Sequence, residues 1–100
     1  MSDTLRNYEM IVIAVPQLDD ESVASLNQRV TDWITAGNGI VTGTDVWGRR
    51  QMTYAIRKHS EGIYVKVDFQ LSPSAARELE RSLRLDEQII RHLVVRLDED

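Results

Sequence analysis

With 100 residues, 42% of them hydrophobic and 28% charged, the chain has apolar side chains for one core and too little length for two independent ones. It contains no cysteine, which excludes disulfide frameworks, thiol catalysis and cysteine-ligated zinc, and no run approaches the ~18 consecutive apolar residues of a membrane span. The formal charge of −4 argues against a protein that coats nucleic acid indiscriminately.

The opening Met1 to Arg6 lacks a basic region followed by an apolar block, so no secretory signal is expected and a cytosolic location fits. Tyr8 to Val15 is a nearly continuous apolar run, β-branched in its second half and closed by Pro16. A run of that length predicts a buried central strand. Asp19 or Asp20 can then cap a helix, with Glu21 at the positive end of its dipole. Val23, Leu26, Val30, Trp33 and Ile34 recur at helical spacing. Gly37-Asn38-Gly39 supplies left-handed backbone to stop the helix. From Ile40 to Ile56 the pattern predicts one long, bent edge strand, interrupted at Gly43 and Gly48; two short strands with a turn near Gly48 fit the same residues.

His59-Ser60-Glu61-Gly62 has the composition of a compact turn. Ile63, Val65, Val67, Phe69 and Leu71 then alternate with polar or mixed residues, the period of a strand with one buried face. Ser72 and Pro73 open a second helix whose inner stripe is Ala75, Ala76, Leu79 and Leu83, with Ser82 beside it. Ile89 to Leu97 is the last strand, followed by an acidic tail.

The resulting order is βαββαβ. With right-handed crossovers it gives an α+β, ferredoxin-like fold: a four-stranded antiparallel sheet in the order 4-1-3-2, with both helices on one face. The two strands richest in apolar residues then fall at the centre, so pattern and topology agree. A single domain over residues 1–100 is expected, with an ordered core from about 6 to 97 and short tails.

Charge is distributed unevenly. Val46 to Ser60 holds Arg49, Arg50, Arg57 and Lys58 and no acid, so that window carries +4 and the rest of the chain −8. Such a segment is a solvated hairpin or a polyanion-binding edge, and charge alone does not separate the two. Forked arginine donors match phosphate oxygens, while Trp47 and Tyr54 offer flat, partly polar surfaces. In the alternative reading Met52, Tyr54 and Ile56 pack the core while the arginines stay solvated.

A catalytic constellation is missing. His59 and His92 have no second histidine at ligand spacing, so no metal is expected, and no nucleophile elbow, phosphate-cradling loop or dinucleotide fingerprint occurs. Acylphosphatase-like enzymes share the topology but hold phosphate with a glycine-rich loop and an arginine after the first strand; here that loop reads Pro16-Gln17-Leu18-Asp19-Asp20. RNA-recognition motifs stack bases on third-strand aromatics of one face, whereas Tyr64 and Phe69 differ in parity. Ligand-sensing, ACT-like regulatory domains have the same topology and stand as the alternative function.

The run Gly48-Arg49-Arg50-Gln51-Met52-Thr53-Tyr54-Ala55-Ile56-Arg57 resembles the signature of the bacterial small-subunit ribosomal protein six family. The opening Arg6-Asn7-Tyr8-Glu9, the pair Leu18-Asp19, Gly62, Tyr64 and Val94-Val95 add to the likeness, which runs from about Arg6 to Arg96. Met52 and Thr53 depart conservatively from the family's usual leucine and serine or alanine. The resemblance implies a non-enzymatic, cofactor-free protein of the cytoplasmic ribosome. Such a protein binds the central domain of small-subunit ribosomal RNA beside ribosomal protein eighteen, with much of the RNA contact shared by that partner. On this reading Arg6, Arg49, Arg50, Arg57, Lys58 and Lys66 are expected to meet phosphate. Ile11, Ile13, Trp47, Tyr54 and Tyr64 are expected to dock the protein partner, because Ile11 and Ile13 have the parity of the helix-free sheet face.

Overall fold

A computed structural model describes residues 4–97 of the chain; the tails beyond them, including the acidic Asp98 to Asp100, lie outside the described residues. The elements follow one another as β1 (Arg6–Ala14), α1 (Asp20–Ala36), β2 (Ile40–Ile56), β3 (His59–Leu71), α2 (Pro73–Leu85) and β4 (Ile89–Arg96). The sheet order is β2-β3-β1-β4 with antiparallel pairing throughout, which is the expected order read from the other edge.

Strand alternation decides which side chains form the core. Tyr8, Met10, Val12 and Ala14 of β1 and Ile63, Val65, Val67, Phe69 and Leu71 of β3 face the helices. There they pack against Leu26, Val30 and Ile34 of α1 and Ala76, Leu79 and Leu83 of α2. Tyr8 and Phe69 stack across the strand pair with centroids 5.4 Å apart. Ile11 and Ile13 point to the helix-free face, as their parity requires.

The helix ends follow local chemistry. Asp19 caps α1, its carboxylate accepting from the Ser22 amide at 2.8 Å. That hydrogen bond holds the Asp19 carboxyl below its ordinary value of 3.8. A lowered carboxyl pKa stabilises the fold above the unfolded value and ceases to do so as pH falls through the folded one. Asp19→Ala is therefore expected to lower the melting temperature by a few degrees at about pH 7, with the deficit closing as pH falls below the ordinary carboxyl range. At the other end, the Gly39 amide reaches the Ile34 carbonyl and the Asn38 amide reaches that of Thr35, both at 2.9 Å. This is a Schellman pattern, with Asn38 at φ 64° rather than a glycine in the left-handed position. Ser72 caps α2 through the Ala75 amide, with Pro73 at the first turn.

The long edge strand forms as one element, bent by register shifts at Val41/Gly43, Val46/Gly48 and Gln51/Ile56. Gly48, at φ 85°, takes a backbone angle that side chains resist. The turn between β2 and β3 is not at His59 to Gly62 but at Arg57-Lys58, with φ of 51° and 68°. His59 already pairs with Ile56 in the ladder. A two-residue link with two positive φ angles matches the twist of antiparallel strands, and four residues of turn-like composition do not outweigh that geometry. Gly62 is small for a different reason: a Cβ there would collide with the Ile13 side chain.

Candidate nucleic-acid interface

The expected basic residues separate into one group and two outliers. Arg49, Arg50, Arg57 and Lys58 all lie toward the end of the sheet where β1 stops. Arg49 pairs in register with Ile63 and Arg50 with Gly62, while the Arg57-Lys58 turn projects beyond them. All four side chains are exposed. Arg49 and Arg50 straddle the edge strand rather than sharing a face. Arg49 reaches back to the β1–α1 loop, donating from Nη2 to the Pro16 carbonyl at 2.7 Å. Arg50 lies over the Trp47 ring, 5.2 Å from its centroid. An indole against its flat side leaves the guanidinium edge, with its N–H donors, facing outward.

None of these four cations is paired with a carboxylate among the described residues. Arg57 and Lys58 are placed at a cost, because left-handed backbone is worth ~1–2 kcal/mol against an ordinary side chain at each position. Asn-Gly would occupy the same turn with less strain.

Arg6 and Lys66 belong elsewhere. Arg6 begins β1 opposite Leu71, at the far end of the sheet, and its Nε is buried without a hydrogen-bond partner among the described residues. Lys66 sits on the helix-free face, 3.4 Å from Glu9 and 3.7 Å from Asp68. The Glu9 hydrogen bond, with the field of Asp68, pushes its pKa above the ordinary 10.5. A phosphate approaching Lys66 would meet two carboxylates for one ammonium. Lys66→Ala is expected to leave the salt dependence of RNA binding unchanged, as equilibrium titrations at several salt concentrations would read.

The helix-free face carries its own small apolar cluster. Met52 and Ile56 of β2 fold over it, burying Ile13 to 8% exposure together with Ile90, with Ile11, Val15 and Tyr64 at the margin. Ile13 is thus covered by its own chain rather than offered to a partner. Trp47, in the bulge before Gly48, stacks on Tyr64 with centroids 6.4 Å apart, and its Nε1 donates to Asp45 at 3.1 Å. Tyr54 stands out at 79% exposure, unlike its neighbours Met52 and Ile56. Core packing and outward display therefore alternate within one segment.

Sequence reasoning missed Leu93 and Val95. They pair with Ile11 and Glu9 and expose 56% and 40% of their surface, extending the apolar strip across β4. Their alternation was visible, but a bulge at the start of β4 obscured their face: Ile89 packs on the helix side and Ile90 on the other. Arg84 and Arg91 were missed as well, since only the tertiary structure brings them beside Arg57. His92 turns to the helix side, where its Nε2 lies 3.6 Å from Glu80. No group of His, Asp and Glu among the described residues is arranged to hold a metal ion, and no described helix is long and apolar enough to cross a membrane.

The family model described as ribosomal protein S6 matches residues 7–96. The chain belongs to the ribosomal protein S6 family. It is 41% identical over 96 residues to small ribosomal subunit protein bS6 of Moorella thermoacetica, covering 96% of this chain and 98% of that protein. It is 44% identical over 92 residues to bS6 of Salinispora arenicola, covering 92% and 96%. The crystal structure of 30S ribosomal protein S6 from Thermotoga maritima superposes with a TM-score of 0.87 at 29% identity, covering 94% of this chain and 89% of that one. The C-terminal domain of the MgtC protein from Mycobacterium tuberculosis, at 11% identity and a TM-score of 0.64, shares the fold alone. Membership in a ribosomal protein family sets the acylphosphatase-like reading aside: this is a structural protein and not an enzyme.

Proposed function

We propose that the chain acts as one domain in the small subunit of the cytoplasmic ribosome, binding small-subunit ribosomal RNA together with ribosomal protein eighteen. The observation that carries this reading is the set Arg49, Arg50, Arg57 and Lys58, exposed toward one end of the sheet and unpaired with any described carboxylate. An acidic molecule that keeps its free cations together neutralises a polyanion locally and repels it elsewhere, which orients binding. The protein partner is assigned to the helix-free face, where Ile11, Trp47, Tyr54 and Tyr64 are joined by Leu93 and Val95. A shared RNA site with that partner accounts for a net charge of −4 in an RNA-binding protein.

The test is affinity purification of the tagged chain from bacterial lysate, with and without ribonuclease. Small-subunit ribosomal RNA is expected to co-purify and to be lost on digestion, while ribosomal protein eighteen remains bound through the apolar strip. Recovery of neither, with a rise in melting temperature on adding a metabolite extract instead, would overturn the proposal in favour of a ligand-sensing domain.

A further inference from the structure

Three arginines from three separate elements meet at one cavity of about 190 Å³. Arg57 comes from the β2–β3 turn, Arg84 from the last turn of α2 and Arg91 from the start of β4, over a floor that includes Leu83, Ile89 and Ile90. None of the lining residues is acidic. His92 also lines the cavity and is engaged with Glu80 at 3.6 Å. Asp86, which ends α2, is held by Arg29 at 2.9 Å. The guanidinium groups of Arg57, Arg84 and Arg91 have no hydrogen-bond or ion-pair partner among the described residues.

We propose that this cavity is a second phosphate site, gripping one backbone phosphate of RNA between the hairpin turn and the end of α2. Guanidinium groups gathered around one cleft repel one another, a repulsion that water screens because all three arginines are exposed. An anion in their midst reverses its sign, and the forked donors fit tetrahedral phosphate oxygens. The unfavourable backbone of Arg57 points the same way, because local strain persists where placement of a side chain serves a function. Arg49, Arg50 and Lys58 lie toward the same end of the sheet, so the ligand is a chain of phosphates rather than a lone ion. The inference rests on the RNA-binding reading and extends it with a contact that shares Arg57 with the edge-strand set and adds Arg84 and Arg91 around the corner from it.

The test uses the full chain with ribosomal protein eighteen, titrated against a transcript of small-subunit ribosomal RNA at several potassium chloride concentrations. Arg84→Ala combined with Arg91→Ala is expected to flatten the log–log salt slope by about 0.9, for one phosphate no longer neutralised. Arg57→Asn combined with Lys58→Gly is expected to melt at a higher temperature than the parent yet bind RNA more weakly, a pairing that a purely structural role would not produce. The proposal is overturned if the Arg84/Arg91 variant keeps the parent's slope and affinity while an Arg49→Ala, Arg50→Ala variant loses them; the RNA-binding reading would then stand without this site. The same holds if the Arg84/Arg91 variant merely melts lower, since Arg84 also faces the negative end of the α2 dipole. If inorganic phosphate stabilises the parent but not that variant, with RNA affinity unaltered, the cavity serves free phosphate and the RNA assignment fails. A parent chain that binds no RNA overturns both readings.

Discussion

Alanine at position 69 is expected to cost about 3–5 kcal/mol of folding stability, a large share of the ~5–15 kcal/mol that holds a domain of this size together. Phe69 is 1% exposed and sits in the third strand between Tyr8 on one side and Val41 on the other. Removing the ring empties the centre of the helix-facing layer and breaks the 5.4 Å stack with Tyr8, which is worth ~0.5–1.5 kcal/mol beyond its buried area. Urea denaturation followed by circular dichroism would measure the loss as a lower midpoint at unchanged slope. Phe69→Leu refills part of the volume and is expected to recover more than half of the deficit. A loss below about 1 kcal/mol for alanine would be incompatible with the packing around Phe69, given the cost of such cavities.

The second large effect concerns function. Arg49→Ala combined with Arg50→Ala is expected to flatten the salt slope of RNA binding by about 1.8, because two side chains on opposite sides of the edge strand would meet different phosphates under the proposed function. At about 0.1 M salt that slope corresponds to a roughly 60-fold loss of affinity. Folding should suffer little. Arg49 gives up one exposed hydrogen bond to Pro16 and Arg50 its contact with Trp47, each worth ~1 kcal/mol or less. Filter binding with thermal melts on the same preparations separates the two effects. An unaltered slope would remove the pair from the RNA contact, whatever happens to stability.

Much of the architecture was legible because strand and helix periods are written in side-chain polarity. The alternation from Ile63 to Leu71 is a direct record of one buried face, and Asp19 and Ser72 announce the two helix starts. The β2–β3 turn was misplaced because Arg-Lys lacks the composition of a turn, whereas His59-Ser60-Glu61-Gly62 has it. There the twist of the ladder, a property of the strand pair, selected the link. The basic segment was legible as charge, and strand alternation alone puts Arg49 and Arg50 on opposite sides, but the register shifts at Val46/Gly48 and Gln51/Ile56 hid which face each one takes. Lys66 is neutralised by Glu9 only because β1 lies beside β3. Arg84 and Arg91 approach Arg57 through three elements separated in sequence, a relation that no local pattern encodes.

The central position of β1 also constrains how the chain assembles. Val12 pairs with Val65 and with His92, 53 and 80 positions further on, whereas β2 and β3 meet across two residues. Closing such long spans costs chain entropy that the early-formed hairpin does not repay by itself. While the protein is being translated, its first strand must therefore wait, half-satisfied, until the segment carrying β4 has left the exit tunnel. Throughout that interval Ile11 lacks its β4 neighbour Leu93, and Ile13 lacks Ile90 even where Met52 and Ile56 already cover it.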